Sequence, residues 1–196
     1  MARRVLWLDE NLRARSNLLW PGFSSGIDAL RNEMSTMDIV ECANVPDFVS
    51  WLTDYDRLRQ GVTGVQKWQD GDELSGIIVD IMIAGTTKIR FPEVCLEDRK
   101  IRFRENGVRL DDRIETVTEM EVGLVLAEHF LANLSNLDHV PLIFGSIIEE
   151  TDLVKGVQNS IRKARAISGK DGVSFVSKGG AGDFISEISG LITGAK

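Results

Sequence analysis

Features that would narrow the function of this chain are scarce. Only two of its 196 residues are cysteine, Cys42 and Cys95, and they lack the spacing of a zinc site or a redox pair. With no sign of an oxidising compartment, we expect a cytoplasmic location. No apolar run is long enough to cross a bilayer, and residues 5–8 are too short a run for the core of a signal peptide. No membrane association is therefore expected.

Positive charge and histidine are also in short supply. The net charge of −7 argues against general affinity for nucleic acid but does not restrict protein partners. His129 and His139 are not near a candidate nucleophile, so no hydrolase triad is indicated. The segments "AGTTK" (84–88) and "SKGGAGD" (177–183) lack the Gly-Lys-Ser/Thr ending of a phosphate-binding loop, which disfavours a nucleotide-binding enzyme.

What the chain does contain is an alternation of apolar runs of strand length with stretches of helical period. The strand candidates are "RVLWL" (4–8), "DIVECA" (38–43), "GIIVDIMI" (76–83), "VPLIFGS" (140–146) and "GVSFVS" (172–177). Such near-continuous apolar runs are typical of strands covered on both faces. Helical spacing occupies 44–58, 118–130, 152–164 and the segment from about residue 183 onward. The pattern predicts one α/β domain, 1–196, with a doubly wound five-stranded parallel sheet.

Polar residues cluster where these predicted strands end. They are three carboxylates, one hydroxyl and one amine: Asp9, Glu10, Asp80, Ser146 and Lys178. In a doubly wound sheet, sites lie beyond the carboxyl ends of the strands, so these side chains should converge. Crowded carboxylates repel each other unless a cation joins them, and oxygen ligands of this kind suit Mg²⁺ together with a phosphoryl oxygen. The sequence therefore predicts a magnesium site that receives a phosphoryl group.

In these motifs the chain resembles the receiver domains of bacterial two-component response regulators, in particular the stand-alone, chemotaxis-regulator type. The matching segments are "LDEN", "VDIMIAG", "VPLIFGS" and "FVSKGG", and the resemblance covers nearly the whole chain apart from insertions. It implies a flavodoxin-like sheet of strand order 2-1-3-4-5. It also implies a signalling role in which a phosphorelay changes the binding of a downstream protein target.

The resemblance assigns roles to individual residues. Asp80 would take a phosphoryl group from a histidine kinase or phosphotransfer protein and become an aspartyl phosphate. Lys178 and Ser146 would contact the phosphoryl oxygens, and Phe175 would turn inward when Ser146 moves. The magnesium ligands would be Asp9, Glu10, Asp80 and the backbone carbonyl of Met82. The protein would thus catalyse only its own phosphorylation and dephosphorylation.

Four residues near the site depart from the usual receiver pattern. Ile147 is bulky where the family usually has a small residue, which predicts restricted access to Asp80. Met82 and Ile148 cannot orient a hydrolytic water well, so a phosphorylated form is expected to be long-lived. Gly179 replaces the proline that usually follows the lysine and disfavours the cis bond found there, so the final loop should have a different shape.

An alternative interpretation keeps the fold but removes the chemistry. Lys178 could merely neutralise Asp80 in a structural ion pair, leaving a pseudo-receiver that acts as an interaction or dimerisation scaffold. Taken singly, other site residues also suit ordinary structural roles: Asp9, Glu10, Ser146 and Phe175. A haloacid dehalogenase-like phosphatase is disfavoured, because Met82 stands where that family places a second aspartate.

An insertion follows the third predicted strand. Residues 86–117 exceed the short loop that a receiver needs there and predict an inserted hairpin arm. A turn at Asn106-Gly107 would pair Glu105 with Val108, and likewise Phe103 with Leu110 and Arg102 with Asp111. Residues 86–113 contain eight Lys or Arg against six Asp or Glu, a net of +2 in a chain of −7, which leaves −9 for the rest.

One face of this arm would be apolar and the other basic. It could cover the site, contact an acidic partner or a second copy of the chain, or pack on its own domain. The residues predicted for such an interaction are Arg102, Phe103, Arg104, Arg109 and Leu110. Segments 17–25 and 61–75 are expected to be surface loops without chemistry. Residues 178–196 leave room for one helix only, so no DNA-binding output module is expected and the protein should act by contact.

Overall fold

A computed structural model describes residues 1–9, 31–81, 89–90, 94–97, 100–105, 108–116, 123, 137, 139–146, 173–178 and 181–194. Within these ranges the strands are β1 (Arg3–Leu8), β2 (Asp38–Cys42), β3 (Glu73–Asp80), β4 (Ile89–Arg90), β5 (Val94–Glu97), β6 (Lys100–Glu105), β7 (Val108–Thr116), β8 (Leu142–Ser146) and β9 (Val173–Ser177). The longer helices in these ranges are α1 (Val45–Arg59) and α2 (Ala181–Gly194). Residues 31–33 and Gly123 are also helical.

Five of these strands form one parallel sheet of order β2-β1-β3-β8-β9. This is the predicted flavodoxin-like α/β order. The central strands β1 and β3 are buried over most of their length, as strands covered on both faces must be. β3 begins at Glu73, earlier than predicted, and its last residue is Asp80.

The first helix after β2 forms where the sequence predicts it. The side chain of Asn44 accepts a hydrogen bond from the backbone N–H of Asp47 at 2.9 Å and so caps the first turn of α1. Pro46 suits that first turn because it has no N–H to satisfy. The buried face of α1 carries Val45, Phe48, Leu52 and Tyr55.

The last helix, α2, closes the other side of the sheet. Alternate strand residues pack there against α2 and against two methionines that precede β2. This cluster includes Val5, Trp7, Ile78, Ile143 and Val176 from the strands, Phe184, Ile185, Ile188 and Ile192 from α2, and Met34 and Met37. Burying such side chains contributes roughly 1.5–3 kcal/mol each, so this layer fixes where α2 sits.

The predicted arm contains an antiparallel sheet of order β4-β5-β6-β7. Glu105 pairs with Val108 as expected, but the predicted pairing of Arg102 with Asp111 is wrong, since Arg102 pairs with Ile114. The register shifts between Arg102 and Arg104, and the predicted pairing of Phe103 with Leu110 falls at this shift, where no β7 partner is assigned to Phe103. Three consecutive charged residues, 111–113, interrupt the alternation of β7 and lie where its register with β6 shifts.

The prediction of a plain surface loop at 61–75 is wrong in part. Trp68 is 3% exposed and packs on Tyr55, with ring centroids 4.7 Å apart, while the Arg4 guanidinium lies over the Trp68 ring at 5.1 Å. Asp72 is buried as well, and its Oδ2 lies 2.9 Å from Nη1 of Arg4. The loop therefore anchors the amino ends of the strands.

The remaining predicted elements lie wholly or mostly outside the described residues. The helix predicted at 152–164 and the loop at 17–25 lie outside the described residues, and of 118–130 only Gly123 is described. Within the described ranges, no helix is both long enough and apolar enough to cross a membrane.

Candidate functional site

The register of the central strands brings two predicted site carboxylates together. In the pairing of β1 with β3, Trp7 lies opposite Ile78. Asp9 and Asp80 each follow two residues later, and because side chains alternate along a strand, both emerge on the same face. The backbone N–H of Asp9 donates to the carbonyl of Cys42 at 3.1 Å, which extends the β1–β2 pairing to the site. Both carboxylates are buried, with 1% of Asp9 and 6% of Asp80 exposed.

Lys178 joins the two carboxylates. Its Nζ lies 2.6 Å from Oδ2 of Asp9 and 2.9 Å from Oδ2 of Asp80, and the residue is 3% exposed. Its backbone N–H donates to the carbonyl of Ser146 at 2.6 Å, which continues the pairing of β8 with β9 one residue beyond β9. Two acids and one base are thus held in a nearly dry site, which we call the Asp-Lys triad (Asp9, Asp80 and Lys178).

Gly145 makes the reach of Lys178 possible. Lys178 follows β9 and Asp80 ends β3, so the side chain must cross the intervening strand β8. It crosses at Gly145, which pairs with Asp80 in register. A Cβ added at Gly145 would lie only 3.0 Å from Cε of Lys178, which is closer than ordinary packing allows. A residue with a side chain at this position would therefore press on the lysine.

The electrostatics of the triad favour a charged lysine. Burial by itself would lower the pKa of the Lys178 ammonium, but the carboxylates of Asp80 and Asp9 outweigh it and raise that pKa above its ordinary value. Lys178 therefore remains protonated throughout the neutral range. It offers a fixed positive charge beside Asp80.

Ser146 and Phe175 share one face of the sheet. Ser146 is the last residue of β8, fully buried, and one position beyond Gly145. It pairs in register with Ser177, two residues after Phe175, so Ser146 and Phe175 belong to the same face of the sheet. Phe175 is half-buried. Ser146 ends β8 at the edge that holds the triad, and Phe175 lies two residues before the end of β9. Because Asp80 pairs with Gly145, the residue before Ser146, the triad projects from the opposite face.

Several predicted site residues lie outside the described residues: Glu10, Met82, Ile147, Ile148 and Gly179. For the arm, the structure describes the backbone in β6 and β7 but not the side-chain surroundings of Arg102, Phe103, Arg104, Arg109 and Leu110.

The donor set is compatible with the predicted magnesium site. Two of the predicted ligands, Asp9 and Asp80, are adjacent, and both supply the hard carboxylate oxygens that Mg²⁺ prefers. The described part of the chain gathers no group of three or more His, Cys, Asp or Glu side chains around one point. The triad contains one more negative than positive group, so an added cation would improve its charge balance.

Two glycines belong to the site although the sequence interpretation did not assign them a role. Gly145 lies under the lysine, and the backbone of Gly123 lies against Asp80, with its N–H donating to the carbonyl of Ile81 at 3.3 Å. A glycine inside an apolar strand is a known signal of close backbone approach, and it could have identified Gly145. Gly123 had no comparable signal, because it contacts a residue far away in the chain.

No protein-family model, curated protein or solved structure matched the chain. The function must therefore be inferred from the geometry of the site.

Proposed function

We propose that the protein is a phospho-accepting signalling switch in a two-component phosphorelay, with Asp80 as the phosphoacceptor. The observation that carries this proposal is the buried Asp-Lys triad at the carboxyl edge of a parallel sheet of order β2-β1-β3-β8-β9. Sites in such sheets lie beyond the strand ends near the point where the strand order reverses, and β1 and β3 flank that point.

The chemistry would be transfer of a phosphoryl group to a carboxylate. An Asp80 oxygen would attack the phosphorus of a phosphohistidine or an acyl phosphate, and the bond from phosphorus to the donor would break with its electron pair leaving on the donor. Asp80 suits this role better than Asp9 because it is the more exposed of the two. Asp9 and Asp80, with Glu10 and the Met82 carbonyl, would hold Mg²⁺, which would offset charge on the transferring group.

Lys178 and Ser146 would contact the phosphoryl group on Asp80. Lys178 already lies 2.9 Å from Asp80, within reach of an oxygen on a phosphoryl group attached there. Ser146 would donate its hydroxyl to another phosphoryl oxygen, and Phe175, on the same face, would then turn inward. Such a local change of charge and packing is what a phosphorylation switch requires.

The partners follow from the chemistry. A histidine kinase or phosphotransfer protein would supply the phosphoryl group, and a downstream protein would bind according to the state of Asp80. The inserted arm is a candidate surface for that protein or for a second copy of the chain. We place this signalling in the cytoplasm, without nucleic acid or membrane as a partner.

The experiment is the intact mass of the protein after incubation with Mg²⁺ and acetyl phosphate. We expect the wild type to gain one phosphoryl group, whereas Asp80→Asn, which lacks the nucleophilic carboxylate but keeps the shape, should gain none. A gain that persists in Asp80→Asn would show that another residue is modified and would overturn the assignment.

The ion pairs of Lys178 also favour a second candidate, a pseudo-receiver scaffold. Both carboxylates already pair with one buried ammonium, an arrangement that can serve a purely structural role. A wild-type protein that binds Mg²⁺ but gains no mass would support this alternative. The inserted arm would then be the first place to look for partner binding.

A further inference from the structure

Described residues before and after the inserted arm meet beside the proposed phosphoacceptor. The chain leaves β3 at Asp80 and Ile81, passes through β4–β7, and returns at Gly123. There the N–H of Gly123 donates to the carbonyl of Ile81 at 3.3 Å. The chain segments that precede and follow the inserted arm are therefore joined by a contact at the peptide that carries Asp80.

This contact requires a glycine. A Cβ added at Gly123 would lie 2.1 Å from the carbonyl oxygen of Asp80 and 3.0 Å from both its carbonyl carbon and Cα of Ile81. All three atoms belong to the backbone, so no side-chain rotation can relieve the clash. Any other residue must push the Gly123 backbone away from Asp80 or move Asp80 itself.

A shift of Asp80 would break its hydrogen bond to Lys178 in the triad. Its Oδ2 lies 2.9 Å from Nζ of Lys178, and a displacement of about 1 Å exceeds what such a hydrogen bond tolerates. On its other side Asp80 pairs with Gly145 of β8, and the N–H of Ile81 donates to the Gly145 carbonyl at 3.1 Å. The Asp80–Ile81 peptide is thus held between β8 and the backbone of Gly123.

We propose that Gly123 is a positioning residue for Asp80, and that through this contact the base of the inserted sheet is fastened to the phosphoacceptor. The positioning role rests on geometry alone, whereas its consequence for signalling rests on the proposed function. If Asp80 accepts a phosphoryl group, a change in its peptide would act on Gly123, which follows the arm in the chain. The arm would then report the state of Asp80 to a partner.

The test compares Gly123→Ala with Gly190→Ala, since Gly190 lies in α2 and a Cβ there would have no neighbour within 4 Å. The first readout is acetylation of Lys178 by acetic anhydride, mapped by peptide mass spectrometry. The second is the rate of phosphorylation by acetyl phosphate with Mg²⁺, with circular dichroism to confirm folding. Gly123→Ala should expose Lys178 to acetylation and slow phosphorylation by about a hundredfold, the scale of a 1 Å misplacement.

Gly190→Ala should match the wild type in both readouts. Protection of Lys178 and a normal phosphorylation rate in Gly123→Ala would overturn the positioning role. If the wild type gains no phosphoryl group, the proposed function fails, but acetylation of Lys178 still decides the positioning role. The two failures are therefore distinguishable.

Hydrogen exchange in the unmutated protein keeps the test valid should Gly123→Ala fail to fold. The amide of Gly123 should exchange slowly, and exchange at the rate of an open amide would overturn the contact. On treatment with Mg²⁺ and acetyl phosphate, peptides covering 100–116 should change their exchange in the wild type but not in Asp80→Asn. A phosphorylated wild type with an unchanged arm would overturn the link between arm and phosphoacceptor.

Discussion

At the residue scale, the site depends on a lysine that reaches two carboxylates across an intervening strand. Replacing it by methionine keeps the aliphatic stem but leaves Asp9 and Asp80 side by side without a compensating charge. We expect Lys178→Met to lower the free energy of unfolding by about 3–5 kcal/mol, as removal of one partner from a buried ion pair does. Urea unfolding at neutral pH measures the loss.

The same experiment has an internal control. The double variant Asp80→Asn, Lys178→Met lacks one of the two negative charges that Lys178→Met leaves uncompensated. Part of the stability lost in Lys178→Met should therefore return. If the double variant is as unstable as the sum of the two single variants, the pair is not coupled as the distances indicate.

A second prediction at this scale concerns the crossing point. Alanine at Gly145 would put a methyl group 3.0 Å from Cε of Lys178. Overpacking of this kind costs about 1–3 kcal/mol, and it should also slow phosphorylation because the lysine moves away from Asp80. Gly194→Ala is the matched control, since a Cβ there would have no neighbour within 4 Å. Equal unfolding midpoints in urea for the two variants would show that the Lys178 side chain does not pack closely over residue 145.

At the scale of elements, the inserted sheet is the feature with the clearest unassigned role. Its four antiparallel strands β4–β7 lie within residues 86–116, which contain eight Lys or Arg against seven Asp or Glu, a net of +1 that contrasts with −8 for the rest of the chain. Opposite charges attract across a contact between copies or between partners, and this attraction weakens as salt rises.

We therefore expect the arm to hold copies of the chain together. Replacing residues 88–113 by a short Gly/Ser linker should lower the mass in solution, measured by light scattering at low salt, from that of an oligomer to that of a monomer. A control with the single substitution Asn106→Asp, which turns the predicted Asn-Gly turn into Asp-Gly, should keep the wild-type mass. An unchanged mass together with unchanged partner binding after the deletion would refute this role.

At the scale of the whole molecule, charged clusters secure both ends of the parallel strands. At the amino ends, Asp72 accepts hydrogen bonds from the backbone N–H groups of Ala2 at 2.9 Å and Gln69 at 3.0 Å and pairs with Arg4. The hydrogen bond from Ala2 is the main reason that the pKa of Asp72 lies below its ordinary value near 3.8. Burial opposes the shift, while Gln69 and the Arg4 charge reinforce it.

The direction of this shift fixes its effect on stability. A lowered pKa means that the contribution of Asp72 is fully present above its ordinary value near 3.8 and is lost as the pH falls through the lower value in the folded protein. Asp72→Asn should therefore cost about 1–3 kcal/mol at pH 7, and the gap to the wild type should narrow as the solution is acidified. Urea unfolding at pH 7 and pH 3 measures this. A gap that stays constant would contradict the prediction.

Lys178 acts at the opposite limit of pH. Because its pKa is raised, its contribution is fully present below the ordinary lysine value of 10.5 and is lost only as the pH rises through the higher value in the folded protein. Neither Asp72 nor Lys178 therefore changes its contribution to the free energy of unfolding within the neutral pH range.

The sequence by itself determined the elements of the sheet and the residues at their ends. The apolar runs are local and nearly continuous, and the cap at Asn44 acts within one turn, so α1 and the five strands of the parallel sheet overlap the segments that the pattern predicts. Asp9, Asp80 and Lys178 were identifiable because each follows or ends an apolar run. The order of the strands followed once the motifs suggested a receiver.

Only the tertiary structure decided how these residues meet. Lys178 and Asp9 are 169 positions apart, and their contact depends on which strands are neighbours and on a glycine in the strand between them. The burial of Trp68 and Asp72, the bulge between β6 and β7, and the contact of Gly123 with Asp80 depend in the same way on distant partners. A pattern in the sequence reports the surroundings that a residue requires, whereas packing decides which distant residue supplies them.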